Sequence, residues 1–127
     1  MKKILFQISL IFVFAIVTVQ VFATHNRAGE IMYEYIGPQS YRATVVTYTK
    51  ISEESLLADR DTLRIDWGDG NSSIVTRTNG FDTDGDGIPE GVEIDNDIKQ
   101  NIYVSEIHTY AGPADFYIIS VLDLNRI

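Results

Sequence analysis

The densest chemistry in this sequence lies between Asp82 and Glu93. The run Asp82-Thr-Asp84-Gly-Asp86-Gly-Ile-Pro-Glu90-Gly-Val-Glu93 satisfies the pattern D-x-D-x-D-G-x5-E at every position. Asp82, Asp84 and Asp86 supply side-chain oxygens at ligand positions 1, 3 and 5. Gly87 permits the sharp turn, the Ile88 carbonyl points back, and Glu93 closes the shell with two oxygens. Hard oxygen donors at this spacing suit Ca2+ and do not suit soft metals. From Asp82 to Asp97 there are seven acids and no base, a charge density that costs stability unless a cation binds or screens it. The expected role is structural, ordering the loop and stiffening the domain. Three features point the other way: strand and loop flanks where an EF-hand has helices, Pro89 lacking an N–H, and a single copy of the motif. The competing reading is a solvated acidic insertion over residues 78–101.

A second group with chemical potential is Asp69 with His108. Asp69 sits in the glycine-flanked turn Trp67-Gly-Asp-Gly70, where its carboxylate can accept backbone N–H groups. A bond from His108 to a carboxylate or to backbone would fix that turn. A catalytic His–Asp pair is the rival, but the chain has no cysteine and no serine in a nucleophile-type turn. No catalytic residue is expected. His25 and His108 are too few and too scattered for a zinc site.

The composition narrows the class further. The chain has 127 residues, 10 Lys+Arg against 18 Asp+Glu, a net charge of −8 and no cysteine. Disulfides and thiolate metal sites are excluded, and the acidic balance disfavours nucleic acid and anionic lipid as partners. Lys2 and Lys3 precede the nearly continuous apolar stretch Ile4 to Val17, and Val21-Phe-Ala23 fits a signal-peptidase site before Thr24. Residues 1–23 are therefore expected to be a signal peptide, residues 24–127 an exported domain, and no membrane insertion is expected after cleavage. An uncleaved anchor is the alternative, since Ile4 to Ala23 nearly spans a bilayer.

The elements that must position these groups read as strands. Period-two alternation runs through Glu30 to Ile36, closed by Gly37-Pro38, and through Tyr41 to Thr49. Thr62 to Trp67 places Leu63, Ile65 and Trp67 inward, and Gly68 to Asn71 turns the chain back into Ser72 to Arg77. Ser52 to Arg60 reads as a strand-to-strand loop, with a short helical turn as the alternative. Ile102 to Thr109 and Asp115 to Leu122 read as a last hairpin across Ala111 to Ala114, burying Tyr117, Ile119 and Val121. The expected fold is an all-β, antiparallel two-layer sandwich.

Trp67-Gly-Asp-Gly70, then about forty residues later His108-Thr-Tyr110, then Tyr117 to Asp123, resemble the motifs of PKD domains, which are immunoglobulin-like sandwiches. Thr24 to Ile31, Tyr33 to Gly37 and Thr47 to Lys50 are similar to the start of gliding-motility-associated, type IX-secreted surface proteins of Bacteroidetes-type bacteria. The Asp82–Glu90 run resembles the calcium loops of thrombospondin type 3 repeats. These resemblances imply the N-terminal part of a longer protein, at the cell surface or released. They imply a non-catalytic module for adhesion or protein–protein contact, whose partner is a surface protein or a polysaccharide. The alternative is a carbohydrate- or polymer-binding accessory domain of an exported hydrolase. An exposed aromatic row drawn from Tyr33, Tyr35, Tyr41 and Tyr48 would favour the alternative, and buried tyrosines a plain scaffold.

Overall fold

A computed structural model of the chain describes residues 26–52 and 59–122. The leader expected over residues 1–23, His25 and the central residues of the expected 52–60 loop lie outside them. Among the described residues there is no helix, and every strand pairing is antiparallel.

Among the described residues, eight strands form two sheets. They are β1 (Asn26–Gly37), β2 (Ser40–Lys50), β3 (Thr62–Asp66), β4 (Ser72–Thr76), β5 (Val92–Asp95), β6 (Ile98–Val104), β7 (His108–Thr109) and β8 (Ser120–Val121). The larger sheet runs β1-β2-β6-β5, with β7 extending the β6 side of β2, and the smaller runs β4-β3-β8. Ala43, Val45 and Tyr103 from the first pack against Leu63, Ile65, Trp67 and Val75 from the second, with Tyr110 between them. The alternation in β3 places its residues as expected: Leu63, Ile65 and Trp67 are buried, while Thr62, Arg64 and Asp66 are exposed. Tyr117, Ile119 and Val121 are partly buried and pack on the core.

Three local features differ from the sequence expectation. The last hairpin does not form. After β6 the chain stays on β2, with His108 opposite Tyr41, and then crosses to the other sheet, where Ser120 and Val121 pair with Asp66 and Ile65. Tyr110 and Tyr117 drive this arch: their rings stack at 3.7 Å, and the Tyr117 hydroxyl donates to the Gly112 carbonyl at 2.6 Å. Such ring packing is a long-range contact, and alternation alone cannot separate an arch from a hairpin.

The expected strand from Ile102 to Thr109 is also interrupted. The register against β2 slips by one residue between Val104 and His108, a bulge. Ser105 fills the gap: its N–H donates to the Ala43 carbonyl, and its hydroxyl accepts from the Ala43 N–H, both at 2.9 Å.

Finally, the span 78–101 contains β5 and the start of β6. Its alternation is masked because β5 is exposed along its whole length and β6 turns the polar Asn101 into the core. The Asn101 amide donates to the Thr49 hydroxyl at 3.0 Å and the Thr47 hydroxyl at 3.3 Å, which meets the requirement that buried polar groups be bonded.

Candidate functional site

Among the described residues, the candidate chemistry falls into three constellations. The first is the Trp67–Asn71 turn. Asp69 accepts the Asn71 N–H at 2.9 Å and the Asn71 amide at 3.1 Å, and meets His108 Nε2 at 2.8 Å. Burial works against charge on Asp69, but the Asn71 bonds and His108 outweigh it and lower the carboxyl to about 2. The His108 ring lies flat on Trp67 with centroids 4.4 Å apart, and the Tyr110 hydroxyl donates to the Trp67 carbonyl at 3.0 Å. The indole N–H donates to the Ser73 hydroxyl at 2.8 Å. The geometry is a clamp. In a nucleophile triad the carboxylate takes Nδ1 and leaves Nε2 to face the nucleophile, whereas here Nε2 is the atom held by the acid. Gly68 is essential to the clamp: its φ is +77°, and a Cβ there would lie 2.5 Å from the Ile118 carbonyl oxygen.

The second constellation is centred on Arg77, whose role the sequence reading missed. Its guanidinium is fully buried and bonds Asp59 at 2.9 Å, Asp61 at 2.9 Å and Glu90 at 3.0 Å, with further bonds to the Pro89 and Arg60 carbonyls and the Asn101 side chain. Lys99 adds a 2.7 Å bridge to Asp59. Asp59, Asp61 and Glu90 form an oxygen cluster of metal-site dimensions, and the Arg77 guanidinium supplies its positive charge. Burial raises the Glu90 carboxyl above its usual range in spite of Arg77 beside it. Pro89 and Glu90 thereby fasten the C-terminal end of the acidic loop to the core. Its other end is tied where Gly91 N–H donates to the Asn79 carbonyl at 2.9 Å.

Between those anchors, the structure brings Asp82, Asp84 and Asp86 together: one oxygen of each lies within 4.8 Å of the others, and all three are exposed. Asp82 accepts the Gly85 N–H at 2.7 Å and the Gly87 N–H at 2.9 Å, Asp84 accepts Asp86 N–H at 3.1 Å, and Asp86 accepts Ile88 N–H at 2.7 Å. The set consists only of hard oxygens and suits Ca2+. Glu93 stands apart from the trio, on β5 in register with Lys99.

The third constellation is aromatic. A cleft of about 440 Å³ opens between β1–β2 and the arch, walled by Tyr33, Tyr41, Tyr110, Phe116 and Tyr117, with Gln39 and Asp115 as polar groups at its margin. Tyr33 and Phe116 are 71% and 74% exposed, so their ring surfaces are free for contact. Tyr41 is held edge-on by Tyr33, Tyr35 and Tyr110, with centroids 5.6 to 6.1 Å apart. Of the expected exposed row, Tyr33 and Tyr35 are exposed, while Tyr41 lies on the same face but is partly buried against the core. Tyr48 lies on the opposite face, where its hydroxyl donates to Glu30 at 3.2 Å. The volume falls within the usual range of small-ligand clefts.

Comparison of the chain with protein-family models, with curated proteins and with solved structures finds no match in any of the three. Among the described residues, no helix is long and apolar enough to cross a membrane.

Proposed function

We propose that this chain is a non-catalytic, exported β-sandwich module that holds a neutral polysaccharide in the cleft between Tyr33 and Phe116. The cleft carries the reading: aromatic side chains line a concavity, and two of them present exposed rings. Flat aromatic surfaces stack on sugar rings, while Gln39 and Asp115 at the margin can orient hydroxyls. A net charge of −8 repels anionic polymers, and among the described residues no Lys or Arg lines the cleft. The N-terminal leader pattern supports export, and the WGDG and His-Thr-Tyr motifs support the PKD-like, immunoglobulin-like type within the all-β fold. Adhesion to a surface polymer is the expected role. Anchoring of an exported hydrolase to its polymer would use the same cleft. The Asp82, Asp84 and Asp86 trio is proposed as a structural Ca2+ site that stiffens the module.

Affinity electrophoresis of the chain through gels containing soluble neutral glucans, xylans or mannans tests the reading. Retardation by at least one polymer is expected, with loss in Tyr33→Ala and in Phe116→Ala at unchanged melting temperature. No retardation by any of the polymers, or retardation untouched by both substitutions, would overturn it.

A further inference from the structure

The larger sheet ends on one side in β1, a strand unlike the other sheet edges among the described residues. Edges are normally blunted by brevity, charge or bulges, because unpaired N–H and C=O groups invite another strand. β5 is four residues long, carries Glu93 and Asp95 and is bulged between them. β4 has five residues and β8 two. β1 has twelve; its register against β2 is unbroken from Ala28 to Tyr35, with irregularities confined to its two ends, between Asn26 and Ala28 and between Tyr35 and Gly37. Ile31, Met32, Tyr33, Tyr35 and Ile36 are all 40% exposed or more. Ile31 and Tyr33 stand opposite Val45 and Ala43, on the core-facing side of the sheet, yet remain exposed. The acids of this strand are turned back onto their own sheet, Glu30 to the Tyr48 hydroxyl and Glu34 to Arg42 at 3.8 Å.

We infer that β1 is a self-association edge: two copies of this chain join antiparallel through β1, about a two-fold axis at Tyr33, into one continuous sheet. The sequence of the strand favours this register over the two centred on its neighbours, Met32 and Glu34. With the axis at Tyr33, Tyr33 faces its counterpart and Ile31 faces Tyr35 on one side, while Met32 faces Glu34 and Glu30 faces Ile36 on the other. Every carboxylate then lies opposite an apolar side chain. With the axis one residue earlier, at Met32, Glu30 would face Glu34, and directly opposed like charges destabilise a strand pair. An axis through the sheet requires residues of equal parity to pair, which keeps the Ile31, Tyr33 and Tyr35 sides of both copies on one face. That face is also the floor of the aromatic cleft, so pairing would run two clefts together across the axis. The pairing goes beyond the polysaccharide reading and does not depend on it.

The experiment uses the full chain in about 0.15 M salt, where the Debye length is about 8 Å and repulsion between acidic copies is shortened. Light scattering at roughly 100 µM protein is expected to give twice the chain mass. Since the chain has no cysteine, single substitutions report register without background. Directly opposed residues of an antiparallel pair have Cα atoms about 4.5–5.5 Å apart, within disulfide range. Tyr33→Cys should therefore cross-link into a dimer on mild oxidation, and Tyr35→Cys, whose counterpart is offset by four residues, should not. A monomer mass for the unaltered chain would overturn the inference. So would a dimer mass without the Tyr33→Cys cross-link, or equal cross-linking from Tyr35→Cys. Because the readouts are mass and cross-linking, failure here is separate from failure of polymer binding.

Discussion

His108 Nε2 and Asp69 Oδ2 meet at 2.8 Å across 39 positions of sequence, and this contact fastens the turn of the small sheet to the strand that extends the large one. Asp69 carries the charge of the clamp, and its carboxyl is lowered to about 2 in the folded chain. An unfolded aspartate titrates near pH 3.9. The stabilisation is therefore fully present above about pH 4 and is lost as pH falls through about 2. Melting temperature followed from pH 6 to pH 2 should decline through that window. Asp69→Asn should melt lower at pH 6 and show a flatter decline, which thermal unfolding followed by circular dichroism will reveal.

Arg77 governs how the acidic loop joins the core. A fully buried guanidinium is tolerated because Asp59, Asp61 and Glu90 surround it. Removing one member of a buried ionic group leaves its partners uncompensated, at a typical cost of about 3–5 kcal/mol. Arg77→Gln is expected to lose stability toward that range, and Asp61→Asn much less, since Asp61 is half exposed. Urea unfolding monitored by Trp67 fluorescence measures both.

Tyr103 sets a limit at the alkaline end. Burial pushes its phenol up to about 12, and its hydroxyl donates to the Arg60 carbonyl. An unfolded tyrosine ionises near pH 10. The folded preference for the neutral phenol thus stabilises fully below about pH 10 and is lost as pH rises through about 12. The Tyr103→Phe variant should be less stable at pH 8, where the hydrogen bond is missing, but should show a smaller fall between pH 10 and pH 12. Urea midpoints taken across that range provide the check.

The sequence exposes these features unevenly, for physical reasons. β3 was legible because Leu63, Ile65 and Trp67 alternate with polar residues on a strand with one wet face. The Asp69–His108 bond was legible because the glycine-flanked turn and the His-Thr-Tyr run are local patterns. Arg77 was not, because an alternating strand gives no sign that its last inward position holds a cation until Asp59, Asp61 and Glu90 are folded around it. The aromatic row was half legible. Tyr33, Tyr35 and Tyr41 share a face by strand parity, but Phe116 and Tyr117 reach them through an arch that alternation cannot distinguish from a hairpin.

The Asp82–Asp86 trio gives the last prediction. Three carboxylates held within 4.8 Å repel one another, and the loop bearing them is tied at both ends, by Arg77 to Pro89 and Glu90 and by the Asn79–Gly91 bond. A divalent ion that binds there relieves the repulsion only in the folded chain, so it must raise stability, by about 2.7 kcal/mol when its concentration is a hundred times the Kd. Calcium added at millimolar levels is expected to raise the melting temperature, chelator to reverse the rise, and Asp84→Asn to abolish it. Mg2+ should act more weakly, because it demands octahedral geometry and gives up its water reluctantly. Glu93 gives the finer test. It lies on β5 in register with Lys99 and outside the cluster formed by the three aspartates. Glu93→Gln is expected to weaken calcium binding in calorimetry; unchanged affinity would show that Glu93 is not a ligand and leave the three aspartates as the side-chain donors, with water completing the shell. No heat and no melting shift in the unaltered chain would sink the calcium site itself.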